Sequence, residues 1–139
     1  NGYKFFRGDR DNVLERFYEC ANEFNIETIV RITADDPFKD PEVIDKAIDI
    51  YNTGGYDYVS NTIVPTYPEG IDVEIFSFKA LEIAKIQATK NSDMMHVTPY
   101  IINNPKIFNC YNFEHSTDLS RYRFTLDYLE DLKYLNEIF

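Results

Sequence analysis

Two adjacent carboxylates, Asp35 and Asp36, follow an apolar, β-branched run that includes Ile29, Val30 and Ile32. Pro37 comes next, and Asp40-Pro41 follows closely. Such a run has the composition of a buried parallel strand. Asp followed by Pro reads as a helix N-cap with proline in the first turn. The carboxylates then fall in the short loop at a strand's C-terminal end, the edge where open α/β sheets bind ligands. Two carboxylates there are costly unless positive charge joins them. Turn chemistry is the competing reading, because Asp side chains bond nearby backbone in loops.

A second site of the same kind is Arg123-Phe124-Thr125-Leu126-Asp127, followed by Glu130 and Asp131. Here too an apolar stretch ends at an Asp where a helix begins. Asp127 could simply cap that helix through the free N–H groups of its first turn. The repetition favours chemistry, since Asp35 and Asp127 both end strands at one expected sheet edge. No Cys or His spacing suggests zinc, so a hard cation such as Mg²⁺ suits them. Mg²⁺ is usually held by one or two carboxylates plus substrate phosphates. Arg31, inside the apolar run, needs a carboxylate or phosphate partner if buried. Asp72 and Glu74 share one face of a strand, as a solvated face or the wall of a polar pocket. His96 stands alone on a helix, where it is either structural or part of a site.

The elements that must position these groups follow from periodicity. Residues 3–6 read as a short strand, and residues 11–24 as a helix with Val13, Leu14, Phe17, Tyr18, Ala21 and Phe24 on one face. Residues 28–33 form the core strand. Residues 41–52 form a second amphipathic helix, ended by Gly54-Gly55. Residues 56–61 read as the next strand, which gives the alternation of a parallel sheet with crossover helices. Residues 65–70 are too rich in Pro and Gly for a sheet interior. Residues 72–76 form a strand, and Ser77 caps a helix to about residue 88. Ser92 is expected to cap a further helix that carries His96 towards Asn103. Residues 106–111 and 123–126 are strand candidates. Residues 128–139 form a last helix with Leu129, Leu132, Leu135 and Ile138 inward.

The 139 residues suit one domain, and 44% hydrophobic content argues against disorder. A net charge of −10 disfavours nucleic acid or an anionic membrane as partner. It leaves room for a nucleotide, because a metal ion can carry the positive charge. Neither a membrane-spanning helix nor a signal peptide is expected. Cys20 and Cys110 are read as buried, reduced thiols of a cytoplasmic protein.

Five segments in order resemble a known family: Val30-Arg31-Ile32-Thr33-Ala34-Asp35-Asp36-Pro37, Tyr56-Asp57-Tyr58-Val59-Ser60-Asn61-Thr62, Tyr67-Pro68-Glu69-Gly70-Ile71-Asp72-Val73-Glu74, His96-Val97-Thr98-Pro99-Tyr100, and Leu126-Asp127 with Glu130-Asp131-Leu132. They are similar to the cytidylyltransferases of spore-coat polysaccharide biosynthesis, relatives of the CMP-3-deoxy-manno-octulosonate and acylneuraminate cytidylyltransferases. The resemblance implies an α/β, mostly parallel, Rossmann-like nucleotidyltransferase sheet with flanking helices, incomplete at its N-terminal side. It implies transfer of CMP from CTP to a sugar or sugar acid with release of pyrophosphate, Mg²⁺ as cofactor, and a homodimer. Asp35 and Asp127 match the catalytic, metal-holding carboxylates, and are expected close enough to share one ion. Arg31 and Thr33 fall near the nucleotide. Asp72, Glu74, His96 and Arg123 fall on the substrate side. The resemblance marks Asp36 as dispensable.

The chain departs from the family's pattern at Met94-Met95 before the histidine and at Tyr128-Leu129 after the last Asp. The family's basic phosphate loop, of the type Ala-Arg-x-x-Ser-x-Arg-x-Pro-x-Lys, has no match among these residues. Residues 1–139 are therefore expected to be the C-terminal portion of one cytidylyltransferase domain, inactive alone, with carboxylates that lack cationic counterparts. Two rivals are a glycosyltransferase of similar sheet that uses a nucleotide-sugar donor, and a non-catalytic assembly module.

Overall fold

The structure, a computed structural model, describes residues 2–138. The elements in order are α1 (Val13–Glu23), β1 (Thr28–Arg31), α2 (Pro41–Gly54), β2 (Tyr58–Ser60), β3 (Glu74–Ser77), α3 (Phe78–Gln87), α4 (Asn91–His96), α5 (Pro99–Ile102), β4 (Cys110–Asn112) and α6 (Leu129–Ile138). The strands form one sheet of order β1-β3-β2-β4. β3 runs against its neighbours: at its end, the Phe78 N–H donates to Glu27 and the Ser77 N–H to Asp57, which precede β1 and β2. β2 and β4 are parallel, with Asp57 bonded to Asn109 at their start and Phe113 to Ser60 at their end. The α/β class is as expected, and the sheet is mixed because β3 alone reverses.

Local chemistry accounts for the helix ends. The Asp40 carboxylate accepts from the Glu42 N–H, Pro41 occupies the first turn, and Gly55 closes α2 at φ 65°. Ser77 Oγ accepts from the Ala80 N–H and starts α3. The helix expected from Ser92 to Asn103 is instead two short ones. Lys90 is the N-cap of α4, without a side-chain cap bond, and Ser92 lies inside the helix. Pro99 has no N–H to continue the helix. Val97 turns through φ 74°, and the Thr98 N–H bonds back to His96.

Other expectations change for want of partners. Residues 3–6 are irregular, with Tyr3 and Phe5 exposed and no strand beside them among the described residues to supply a ladder. Residues 123–126 form no strand; they contribute one bridge, Glu69 to Arg123. The candidate strand at 106–111 begins only at Cys110. On α6 only Leu135 is buried, while Leu129, Leu132 and Ile138 are exposed, so the inward face expected from periodicity is largely uncovered. Phe139 lies outside the described residues. β1 is an edge strand, with Val30 and the following Ile32 exposed.

The chain divides into two compact units, each taking part of every strand. The first comprises the chain through Ile29, Tyr56–Tyr58 and Phe76–Cys110. Its core joins Leu14 and Ala21 of α1 with Leu81 and Ala84 of α3, and with Tyr58, Phe76, Val97, Ile101 and Phe108. Cys20 and Cys110 lie here, free and half-buried rather than fully buried. The second unit comprises Val30–Gly55, Val59–Ile75 and the chain from Tyr111. There Asn61, 1% exposed, stands in for a strand: its Nδ2 donates to Ile71 O and its Oδ1 accepts from Val73 N–H, both at 3.0 Å.

Candidate active site

The chemistry-bearing residues of the second unit gather around the loop after β1 and the approach to α6. β1 delivers Arg31, whose guanidinium pairs with Glu74 at the start of β3. The carboxylate that Arg31 requires is thus supplied from 43 residues away in sequence. The loop then turns. Thr33 Oγ1 donates to Asp36 Oδ2 at 2.6 Å, and Lys39 Nζ reaches the same oxygen at 2.6 Å. Lys39 also donates to the Asp72 carbonyl. Asp36 is buried, whereas Asp35 beside it is exposed and forms no side-chain hydrogen bond or ion pair with the described residues. The Asp35 carbonyl accepts from the Leu126 N–H at 2.8 Å, which places the two candidate segments side by side.

Arg123 organises the second segment. Its Nη1 pairs with Glu69, and its Nη2 with Asp127 and, at 3.5 Å, with Asp131. These acceptors, Asp131 foremost, push the guanidinium pKa further up, so Arg123 keeps its charge. The capping role open to Asp127 belongs to Asp131 instead. The Asp131 carboxylate accepts from the Asp127 and Tyr128 N–H groups, each at 2.9 Å, and these bonds hold its pKa down. Asp127 turns its own carboxylate to Arg123.

The expectation of carboxylates without cations is corrected for Asp127 and stands for Asp35 among the described residues. Glu74, Asp36 and Asp127 each have a cationic partner. Asp36 is also no spare residue, because it is the buried acceptor that joins Thr33 and Lys39. The Asp36-x-x-Lys39 spacing was the available signal for Lys39, since opposite charges three residues apart can meet across a tight turn of the chain. His96 lies in the other unit, exposed in the last turn of α4.

Burial raises the pKa of Asp72, opposed by the nearby Lys39. The linkage sign follows. A carboxyl whose pKa is raised on folding contributes stability at low pH, and that contribution is lost as pH rises through its folded value. Ionised Asp72 therefore costs stability at neutral pH. Asp72→Asn is expected to raise the melting temperature at pH 7, with the gain fading as pH falls through the raised folded value and gone below the ordinary value of 3.8. Melts across pH test this, and a lower melting temperature at pH 7 would contradict it.

Among the described residues no three His, Cys, Asp or Glu side chains converge as a metal centre. Asp35, whose carboxylate has no partner among the described residues, and Asp127, held by Arg123 on the segment bonded to the Asp35 loop, are the carboxylates that could take part in holding a hard cation. No helix among the described residues is long and apolar enough to cross a membrane.

Residues 2–138 match the sequence pattern of the Cytidylyltransferase family. The chain is 37% identical over 139 residues to an uncharacterised protein of Methanocaldococcus jannaschii, covering 99% of this chain and 56% of that protein. It is 33% identical over 141 residues to the spore coat polysaccharide biosynthesis protein SpsF of Bacillus subtilis, covering 99% and 58%. The chain thus spans a little over half the length of these curated relatives. A cytidylyltransferase structure from Leptospira borgpetersenii superposes with a TM-score of 0.90 at 32% identity, over 96% of this chain and 57% of that one. Molybdopterin-guanine dinucleotide biosynthesis protein A of Archaeoglobus fulgidus shares the fold alone, with a TM-score of 0.60 at 18% identity over 90% and 61% of the two chains. With that match along nearly its whole length, the chain belongs to the cytidylyltransferase family.

Proposed function

We propose that residues 1–139 form part of an enzyme that moves CMP from CTP to a sugar or sugar-acid hydroxyl, in surface or spore-coat polysaccharide biosynthesis. The observation that carries this reading is the pairing of the Asp35 loop with the segment that ends in Asp127, within a chain of this family. A new bond forms between the sugar oxygen and the α-phosphorus. The bond from that phosphorus to the bridging oxygen breaks, pyrophosphate leaves, and the hydroxyl proton passes to solvent or a base. Asp35 and Asp127 are the residues that would hold Mg²⁺, which when bound supplies positive charge to the phosphoryl oxygens.

The chain's own residues supply position. Arg31 and Thr33 stand on the nucleotide side of the reading, with Glu74 and Asp36 fixing their side chains. Asp72, Glu74 and Arg123, all in the second unit, are assigned to the sugar side. Arg123 occupies Asp127 here, so it must share or release that carboxylate when a cation binds. The chain taken alone is proposed to be inactive, because the triphosphate-cradling loop of the family has no match in it. A cytoplasmic location is proposed from the nucleotide substrate. A homodimer is proposed from the apolar residues left open on α6 and at the β1 edge. Light scattering of the whole protein should give twice the protomer mass, and a monomer at high concentration contradicts the pairing.

Pyrophosphate release tests the activity. The whole protein, supplied with CTP, Mg²⁺ and a panel of sugars and sugar acids, should release pyrophosphate only with CTP and an acceptor. Release of a nucleoside diphosphate from an intact nucleotide-sugar, with none of pyrophosphate from CTP, would transfer the reading to a glycosyltransferase.

A further inference from the structure

Lys39 has no role in the reading above, yet it is among the most deliberately placed side chains in its unit. Its side chain is 13% exposed and that of Asp36 is 4% exposed, so both charges are largely out of water. A buried ion pair is weak evidence for stability. Replacing one with apolar residues of similar volume is often neutral or stabilising, because the desolvation cost offsets the attraction. A pair of this kind gains most by holding one conformation over others.

The conformation it holds is that of the Asp35 loop. Thr33 and Lys39 both close on Asp36 Oδ2, which draws the loop's two ends onto a residue inside it. Lys39 also ties the loop to the chain entering β3 through the Asp72 carbonyl. On its other side, the Asp35 carbonyl is tied to Leu126. The Asp35 side chain contributes nothing to this clamp, because its carboxylate has no partner among the described residues. The backbone that carries it is fixed from several sides while the side chain is left free. This is how a ligating carboxylate is supported when precision depends on its surroundings.

We infer that Asp36 and Lys39 are positioning residues that hold Asp35 in register for a divalent cation bound with the nucleotide. The inference rests on the assignment of Asp35 as a cation ligand made above, and deepens it.

The test is Mn²⁺ binding to the whole protein in the presence of CTP and without a sugar acceptor, alongside thermal melts. Four variants are compared: Asp35→Asn, the apolar pair Asp36→Leu with Lys39→Met, the single Lys39→Arg, and Lys46→Met. Lys46 is a cation of α2 that packs over Tyr67 and Phe113, and serves as a control for loss of structure. Asp35→Asn should remove most of the Mn²⁺ affinity. The apolar pair should stay folded and lose affinity about 10-fold, the scale of losing an outer-shell support. Lys39→Arg, which keeps a cation against Asp36, should keep most of the affinity, and Lys46→Met should bind normally whatever its melting temperature. If Asp35→Asn loses binding and the apolar pair binds like the parent, the positioning role is overturned and the cation site stands. If Asp35→Asn binds like the parent, the cation site itself is overturned, and the inference with it. Should the apolar pair not fold, a fifth variant, the single Lys39→Met, is compared with Lys39→Arg: equal affinity for the two overturns the inference.

Discussion

Asp35→Asn in the whole protein should lower pyrophosphate release by at least about 100-fold at saturating Mg²⁺, the scale of losing one preorganised electrostatic contact. It should leave the melting temperature nearly unchanged, because the carboxylate is exposed and has no partner among the described residues. Asp36→Asn should behave in the opposite way. Resemblance alone marks Asp36 as dispensable, but the structure makes it the buried counter-ion of Lys39. Removing one partner of a buried pair leaves the other charge uncompensated, at a cost on the order of 3 kcal/mol. Its activity at temperatures where it is folded should fall less than that of Asp35→Asn. Two neighbouring carboxylates are thus separable, one by turnover and the other by stability. Equal, small effects of both substitutions on turnover and melting would return both residues to simple turn chemistry.

Gly70→Ala should be among the most destabilising single substitutions in the second unit. Gly70 adopts φ 99°, a conformation that side-chain-bearing residues rarely take. A Cβ there would sit 2.8 Å from the Phe124 carbonyl carbon, 3.0 Å from its oxygen and 3.0 Å from the Thr125 nitrogen. These are backbone atoms and cannot swing aside. They are also held in place, since the Glu69 N–H donates to Tyr122 at 2.9 Å and the Phe124 N–H to Glu69 at 2.8 Å. Conformational strain and overpacking together should cost about 2–4 kcal/mol. For a chain of this size that lowers the melting temperature by roughly 10 °C. The displaced segment is the one that reaches Asp35 through Leu126 and ends in Asp127, so turnover should fall even where the protein is folded. A melting temperature equal to that of the parent would mean that the 122–126 segment yields freely and is not the fixed wall described here.

Much of the architecture could be read along the chain because its causes are local. Asp40-Pro41, Ser77 and Gly54-Gly55 set helix ends with groups only a few residues apart, and the structure has those ends. The apolar run at 28–33 likewise marks a strand, although it is the edge of the sheet with Val30 and Ile32 exposed and not the buried strand that its composition implies. What failed were statements that need a neighbour. Residues 3–6 have strand composition and no strand to pair with. The spacing of Leu129, Leu132, Leu135 and Ile138 says that they share a face, not that anything covers it.

The same division runs through the site. Residue types showed that Arg31 needs an anion and that Asp35 and Asp127 could serve a cation. Only the tertiary structure decided which charges meet. The reversal of β3 brings Glu74 to Arg31 and the Asp72 carbonyl to Lys39. The Glu69–Arg123 bridge and the Leu126–Asp35 bond bring Asp35 and Asp127 onto adjacent segments, although no strand precedes Asp127. These pairings join residues tens of positions apart. Their energies depend on which backbone lies alongside which, and no periodicity or composition along one chain carries that information.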